Sequence, residues 1–205
     1  MMTREWSVRL ALTAMLLFAI GCRSTGAPPA QTAAEVAALL VAGDTARAED
    51  RFGEIGADDH RALAFPVLFG QAQTQWKQRD YASCIRINRF LVAHYPERVS
   101  AHEALLYALF LDRARTGTVP NGATRREMQQ LGTAIRKASK EPPLWVDLAM
   151  VQVAIDGGEG QLARAAMARF HSRWNGRPAL LRDYAQELDR WLATHEEPQA
   201  GPLAD

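Results

Sequence analysis

The sequence predicts an all-α protein, a stack of antiparallel helix hairpins. Three observations point there. Apolar residues recur at three- and four-residue steps along most of the chain. Runs of β-branched residues are short. Gly, Pro and Asn breaks cut the periodic stretches into pieces of about 12 to 17 residues, ordinary helix lengths joined by short turns.

The elements follow in order. Val36, Leu39 and Leu40 share one helical face, which ends at Gly43-Asp44. Ala48, Phe52 and Ile55 mark a second helix, Phe65 to Trp76 a third, Ile85 to Tyr95 a fourth and Val99 to Ala114 a fifth. Pro66 suits a first turn, where its missing N–H is spared, so the third helix begins about there or kinks there if it starts earlier. Pro96 stops the fourth helix. Thr116 to Gly122 is a turn-rich loop, after which Thr124 is the expected cap of a helix running to about Ser139. Glu141-Pro142-Pro143 marks the next boundary. Leu144 to Ile155, Gln161 to Trp174 and Pro178 to Ala193 complete the set, divided by Asp156 to Gly160 and by Asn175-Gly176.

An internal repeat is visible. Gly43-Asp44-Thr45-Ala46-Arg47-Ala48 aligns with Arg79-Asp80-Tyr81-Ala82-Ser83-Cys84, which places Ala48 and Cys84 in equivalent small positions 36 residues apart. Phe52 then aligns with Asn88, and Ile55 with Leu91. Arg79-Asp80-Tyr81 resembles the turn signature of tetratricopeptide repeats, whose period is about 34 residues. Cys84 falls in that family's small slot and Tyr95-Pro96 in its terminating slot. Ala163, Met167 and Phe170 resemble the small–large–large slots of a further repeat. Tyr95 to Leu106 is similar to the repeats of outer-membrane lipoprotein scaffolds, including the β-barrel assembly lipoprotein. The resemblance implies a right-handed superhelical stack over residues 32–194, with the helix from Pro178 to Ala193 capping the last apolar face. The third hairpin departs most, because its loop is longer.

The N-terminus has its own pattern. Arg4 and Arg9 precede an apolar stretch of about eleven residues, Leu10 to Ile20, too short for a spanning helix of roughly 20. The order Ala19-Ile20-Gly21-Cys22 resembles the lipobox of bacterial lipoproteins; the competing reading is an ordinary secretory signal with a chance cysteine. The resemblance implies a signal peptide over residues 1–21 and lipidation of Cys22 by diacylglycerol and palmitate. Residues 22–31 then form a small, polar, Pro-containing tether. Two or three lipid chains anchor stably where one does not. Arg23, in place of an Asp after the cysteine, implies the periplasmic face of the outer membrane. Residues 195–205 lack apolar periodicity and read as a disordered tail.

A net charge of +1, with arginines scattered, gives no basic footprint for nucleic acid. Cys84 is the only cysteine besides Cys22, so lipidation leaves no disulfide to form, and Cys84 reads as a small buried apolar residue. No enzyme motif is found. His102-Glu103 begins like a zinc-protease helix, but Leu106 stands where the second His belongs. His60, His94, His171 and His195 show no ligand spacing, and Asp58-Asp59-His60 reads as a helix start. Gly157-Gly158-Glu159-Gly160 lacks the Lys of a phosphate loop. There is no Gly-x-Ser-x-Gly elbow, and Asp183 and Glu187 read as a solvated face. No cofactor and no metal are expected.

What the tetratricopeptide resemblance implies instead is a binding groove lined by the first helix of each hairpin. Carried across, it puts Phe69, Gln73, Trp76 and Lys77 on that surface from one repeat and Glu103, Tyr107 and Phe110 from the next. Aromatics in a groove anchor peptides and partner helices; the competing reading is that these rings pack hairpin on hairpin. The expectation is a non-catalytic, membrane-anchored scaffold that binds protein partners in cell-envelope assembly. Alternatives are a subunit of a β-barrel assembly, secretion or pilus system, a self-associating structural protein, and a cell-wall-associated enzyme.

Overall fold

The computed structural model describes residues 28–56, 58–176 and 180–195. Among these the regular structure is entirely helical: α1 (Pro29–Ala42), α2 (Thr45–Gly53), α3 (Asp58–Lys77), α4 (Tyr81–His94), α5 (Val99–Thr116), α6 (Gly122–Ala138), α7 (Leu144–Asp156), α8 (Gly160–Arg173) and α9 (Leu180–Thr194). Consecutive helices pack as hairpins, α1 on α2, α3 on α4, α5 on α6 and α7 on α8. The hairpins stack through α1 against α3 and α4, α4 against α5, α5 and α6 against α7, and α7 and α8 against α9. The predicted stack of helix hairpins is therefore the observed architecture. Cys22, its signal segment and the tail from 196 lie outside the described residues.

One turn, used three times, makes the hairpins. Gly43, Arg79 and Gly158 each adopt a left-handed conformation, with φ of 85°, 62° and 74°. Each N–H then reaches back to a carbonyl three residues earlier, on Leu40, Trp76 and Ile155, at 3.0–3.1 Å. The next N–H, of Asp44, Asp80 or Glu159, reaches five residues back at 2.8–3.0 Å. This is the Schellman closure that satisfies the last carbonyls of a helix. The same residue starts the next helix: its carbonyl accepts from the N–H of Ala48, Cys84 or Ala163. Asp44 and Asp80 add side-chain caps to Arg47 N–H and Ser83 N–H at 3.2 and 3.1 Å. Ala48, Cys84 and Ala163 are buried where the two helices meet.

The third hairpin differs, as its loop predicts. Gly117 (φ 68°) closes α5, and the chain runs on without regular structure before Asn121 caps α6 by accepting from Thr124 N–H at 2.9 Å. The cap is thus Asn121 rather than Thr124, which lies inside the helix. Two further boundaries move. α1 begins at Pro29, inside the segment expected to be tether, because Pro is preorganised for a first helical turn. α3 begins at Asp58 and continues through Pro66. Tyr95, which ends α4, fastens back on α3 by donating its O–H to the Arg61 carbonyl at 2.7 Å.

Two apolar clusters fill the stack. The N-terminal one holds Val36, Leu40, Phe52, Leu68, Ile87 and Leu91; the C-terminal one holds Leu106, Met128, Ile135, Leu148, Val151 and Phe170. They meet at α4, which gives Cys84 and Ile85 to one and Ile87, Phe90 and Leu91 to the other. Gly132 lets α6 approach α7 closely, since a Cβ there would sit 2.4 Å from Met150 Sδ. α9 closes the end by burying Ala185, Leu188 and Leu192. Asp147 in the first turn of α7 is buried and binds Arg136 of α6 at 3.0 Å and Arg173 of α8 at 2.6 Å. Arg173 also donates to the Pro142 carbonyl. Burial holds the Arg136 guanidinium below its ordinary value despite that carboxylate.

Candidate binding groove

The first helices of successive hairpins leave a groove between them. α3 supplies Phe69, Gln73 and Trp76, spaced so that they share one face. α5 supplies Ser100, Glu103, Ala104 and Tyr107, and α7 supplies Leu144 and Trp145 with Pro143 just ahead of it. Leu181 of α9 closes the far end. The groove has a broad section of about 630 Å³ and a narrower one of about 170 Å³. Phe69, Ala104 and Tyr107 line both, so the two are continuous.

Aromatic rings run along it in sequence. Tyr81 meets Trp76 at 5.0 Å between centroids, Trp76 meets Tyr107 at 5.3 Å, and Tyr107 meets Trp145 at 5.0 Å. At one end the Arg115 guanidinium lies 5.1 Å from the Tyr81 ring. Phe65 and Phe69 stack at 5.5 Å on the neighbouring stretch of α3, with Arg98 over Phe65. Tyr107 is 39% exposed, while Trp76 and Trp145 are half-buried against the C-terminal cluster. The indole N–H groups of Trp76 and Trp145 and the Tyr107 hydroxyl have no partner among the described residues. Glu103 is the only charged side chain among the lining residues.

Five of the seven expected groove residues therefore lie together: Phe69, Gln73, Trp76, Glu103 and Tyr107. Lys77 is exposed in the last turn of α3, outside the lining. Phe110 is a correction. It is 6% exposed and packs edge-on against Tyr184 of α9 at 5.2 Å, in the core rather than on the groove. The groove face of α5 is the Ser100–Glu103–Tyr107 line, and Phe110 lies on the side turned towards the cap. Trp145, Asn88 and Ala104 were not expected. α7 is apolar on nearly all sides, so periodicity singles out no face for Trp145. Asn88 and Ala104 carry no signal of their own until the hairpins are stacked.

A polar cavity of about 290 Å³ lies under α9, lined by Arg113, Gln152, Tyr184 and Glu187 among others. Its polar groups largely answer one another: Tyr184 O–H donates to Gln152 Oε1 at 2.6 Å, Gln152 Nε2 to Asp156 at 2.9 Å, and Arg113 to both Asp156 oxygens at 2.9 Å. Burial pushes the Tyr184 phenol up, so it stays a donor. This is a latch holding α9 to α5 and α7. Two histidines serve as surface ties, His94 to Glu49 at 2.8 Å and His171 to Asp189 at 3.1 Å. Among the described residues no group of His, Cys, Asp and Glu is arranged to hold a metal ion, and no helix is long and apolar enough to cross a membrane. Compared with known proteins, the chain matches no family model, no curated protein and no solved structure.

Proposed function

We propose that this protein is a non-catalytic scaffold that binds a protein partner through the groove of a tetratricopeptide-like stack, held at the periplasmic face of the outer membrane by lipid on Cys22. The observation that carries the reading is the aromatic row Trp76–Tyr107–Trp145, with its polar tips unpaired among the described residues and a continuous groove beside it. Rings that are apolar on their faces and carry a free donor at the edge are what protein-binding surfaces concentrate at their centres. The N-terminal cysteine order supports the anchor. Its role is recruitment: a lipid confines the domain to the membrane and raises the local concentration of whatever it binds. Envelope assembly, by β-barrel insertion, secretion or pilus biogenesis, is the process this placement suits.

The test combines two variants in native cells. Trp76→Ala with Tyr107→Ala removes the centre of the row while keeping helix content by circular dichroism, and loses a defined envelope partner from affinity capture. Cys22→Ala leaves the domain folded but releases it from the membrane fraction. Retention of every captured protein in the double variant sinks the groove reading, and unchanged membrane retention of Cys22→Ala sinks the lipid anchor.

A further inference from the structure

The narrow section of the groove, between α3, α4 and α5, has a chemistry of its own. Its walls are apolar, made by Phe69, Ala72, Trp76, Ala104 and Tyr107. Asn88 of α4 lines it as well and is only 1% exposed. Asn88 Nδ2 donates to the Cys84 carbonyl at 3.0 Å and lies 3.4 Å from Cys84 Sγ. That contact sets the orientation of the carboxamide, because a carbonyl faces an N–H and not a second oxygen. Oδ1 is thereby committed as an acceptor, and it has no hydrogen-bond partner among the described residues. Buried amide oxygens in folded proteins are nearly always met by a donor, and an unmet one is costly.

An occupant of this section must satisfy two demands. It must cover apolar walls, and it must bring an O–H or N–H to the end of an apolar body. Lysine would arrive with a charge, and no carboxylate lines this section. Serine, threonine and the amides are too short to cover the walls. Leucine and phenylalanine would leave Oδ1 unmet. Tyrosine and tryptophan do both, each being a flat apolar ring with a donor on its rim. The section opens into the broad groove through shared Phe69, Ala104 and Tyr107, which leaves room for main chain on either side of an anchoring ring.

We propose that the section between α3, α4 and α5 is an anchor site for a tyrosine or tryptophan side chain of the protein partner, whose ring lies against Phe69, Trp76 and Tyr107 and whose O–H or N–H donates to Asn88 Oδ1. The inference rests on the groove reading and specifies what that groove selects.

The test titrates the full chain, by NMR, with blocked pentapeptides Ala-Ala-Tyr-Ala-Ala and Ala-Ala-Phe-Ala-Ala, and with p-cresol as the free ring. The tyrosine peptide binds roughly threefold to tenfold more tightly than the phenylalanine peptide, the worth of one buried hydrogen bond, and shifts the Trp76 indole and Asn88 amide signals. Asn88→Leu removes the preference. Ala104→Leu, which fills the section from a half-buried position, abolishes binding of both peptides at unchanged helix content. Equal affinity of the two peptides for the wild type overturns the proposal. So does binding of p-cresol with no binding of either peptide, which marks a small-molecule cavity. Should Asn88→Leu not fold, the wild-type contrast and Ala104→Leu decide alone. Loss of the tyrosine preference with partner capture still dependent on Trp76 and Tyr107 defeats the anchor and spares the groove. A clear preference with capture independent of those rings does the reverse.

Discussion

At the residue scale, buried polar groups do the most specific structural work. Asp147 is 2% exposed and holds two arginines from different helices. Asp147→Ala leaves Arg136 half-buried without its carboxylate, and breaking such a pair costs ~3–5 kcal/mol, readable as a lower midpoint in urea. Cys84 and Tyr95 set an alkaline limit. Burial pushes the Cys84 thiol up to about 11 from 9.0, and the Tyr95 phenol up to about 12 from 10.0. Both groups are favoured neutral in the folded state. Their contribution is complete below the ordinary values and declines as pH rises through the raised ones. Stability therefore falls between about pH 9 and 12, and Cys84→Ala removes the earlier part of the fall in urea titrations at stepped pH. Much of this scale was hidden in the sequence. Asp147 is an acid in the middle of an apolar run and looks like an interruption. Only the arrival of Arg136 and Arg173 from α6 and α8 makes it a junction. Cys84, by contrast, was legible as a small buried residue because the repeat alignment gave it a slot shared with Ala48.

At the element scale, the left-handed turn is the recurring unit, and one of its three uses is imperfect. Glycine takes this conformation without steric cost, whereas Arg79 crowds its Cβ against the following carbonyl. Arg79→Gly relieves that at the price of a more flexible unfolded chain, and the net expectation is a gain of about 1 kcal/mol in thermal or urea unfolding, with no change in helix content. This turn is also why the hairpins were readable from sequence: it demands particular residues at fixed offsets, and Gly43-Asp44 and Arg79-Asp80 supply them. The boundaries that moved have equally local causes. Asn121 outcompetes Thr124 as a cap because its side chain stands three residues ahead of the N–H it accepts from. Pro66 does not start α3, because the helix is already under way from Asp58 and runs on through the proline.

At the scale of the whole molecule, the order of the stack decides what is exposed. α9 covers the last hairpin with Ala185, Leu188 and Leu192 and latches through Tyr184. Ending the chain before Leu180 uncovers that apolar face, and stacked repeats without a cap lose solubility; light scattering on the shortened chain records association where the full chain gives none. The same covering explains why Phe110, one of the two expected groove residues that fall outside the lining, is in the core. Phe110 sits at a position equivalent to groove-lining ones by offset alone, yet the cap helix arrives over it. Phe69, Gln73, Trp76, Glu103 and Tyr107 were legible because the first helix of each hairpin repeats its orientation, so offsets on α3 and α5 translate into one surface.

The groove also lies where the two apolar clusters adjoin. Phe69 rests on the N-terminal cluster and Trp76 on the C-terminal one, though both belong to α3. A guest lodged against both rings grips two halves whose hairpins are otherwise stacked through α4 against α5. Its affinity is then expressed as mechanical continuity: separating the halves first requires expelling the guest, and occupancy raises the work of opening the molecule at its waist. If the groove takes the partner we propose, the molecule stiffens when it is occupied.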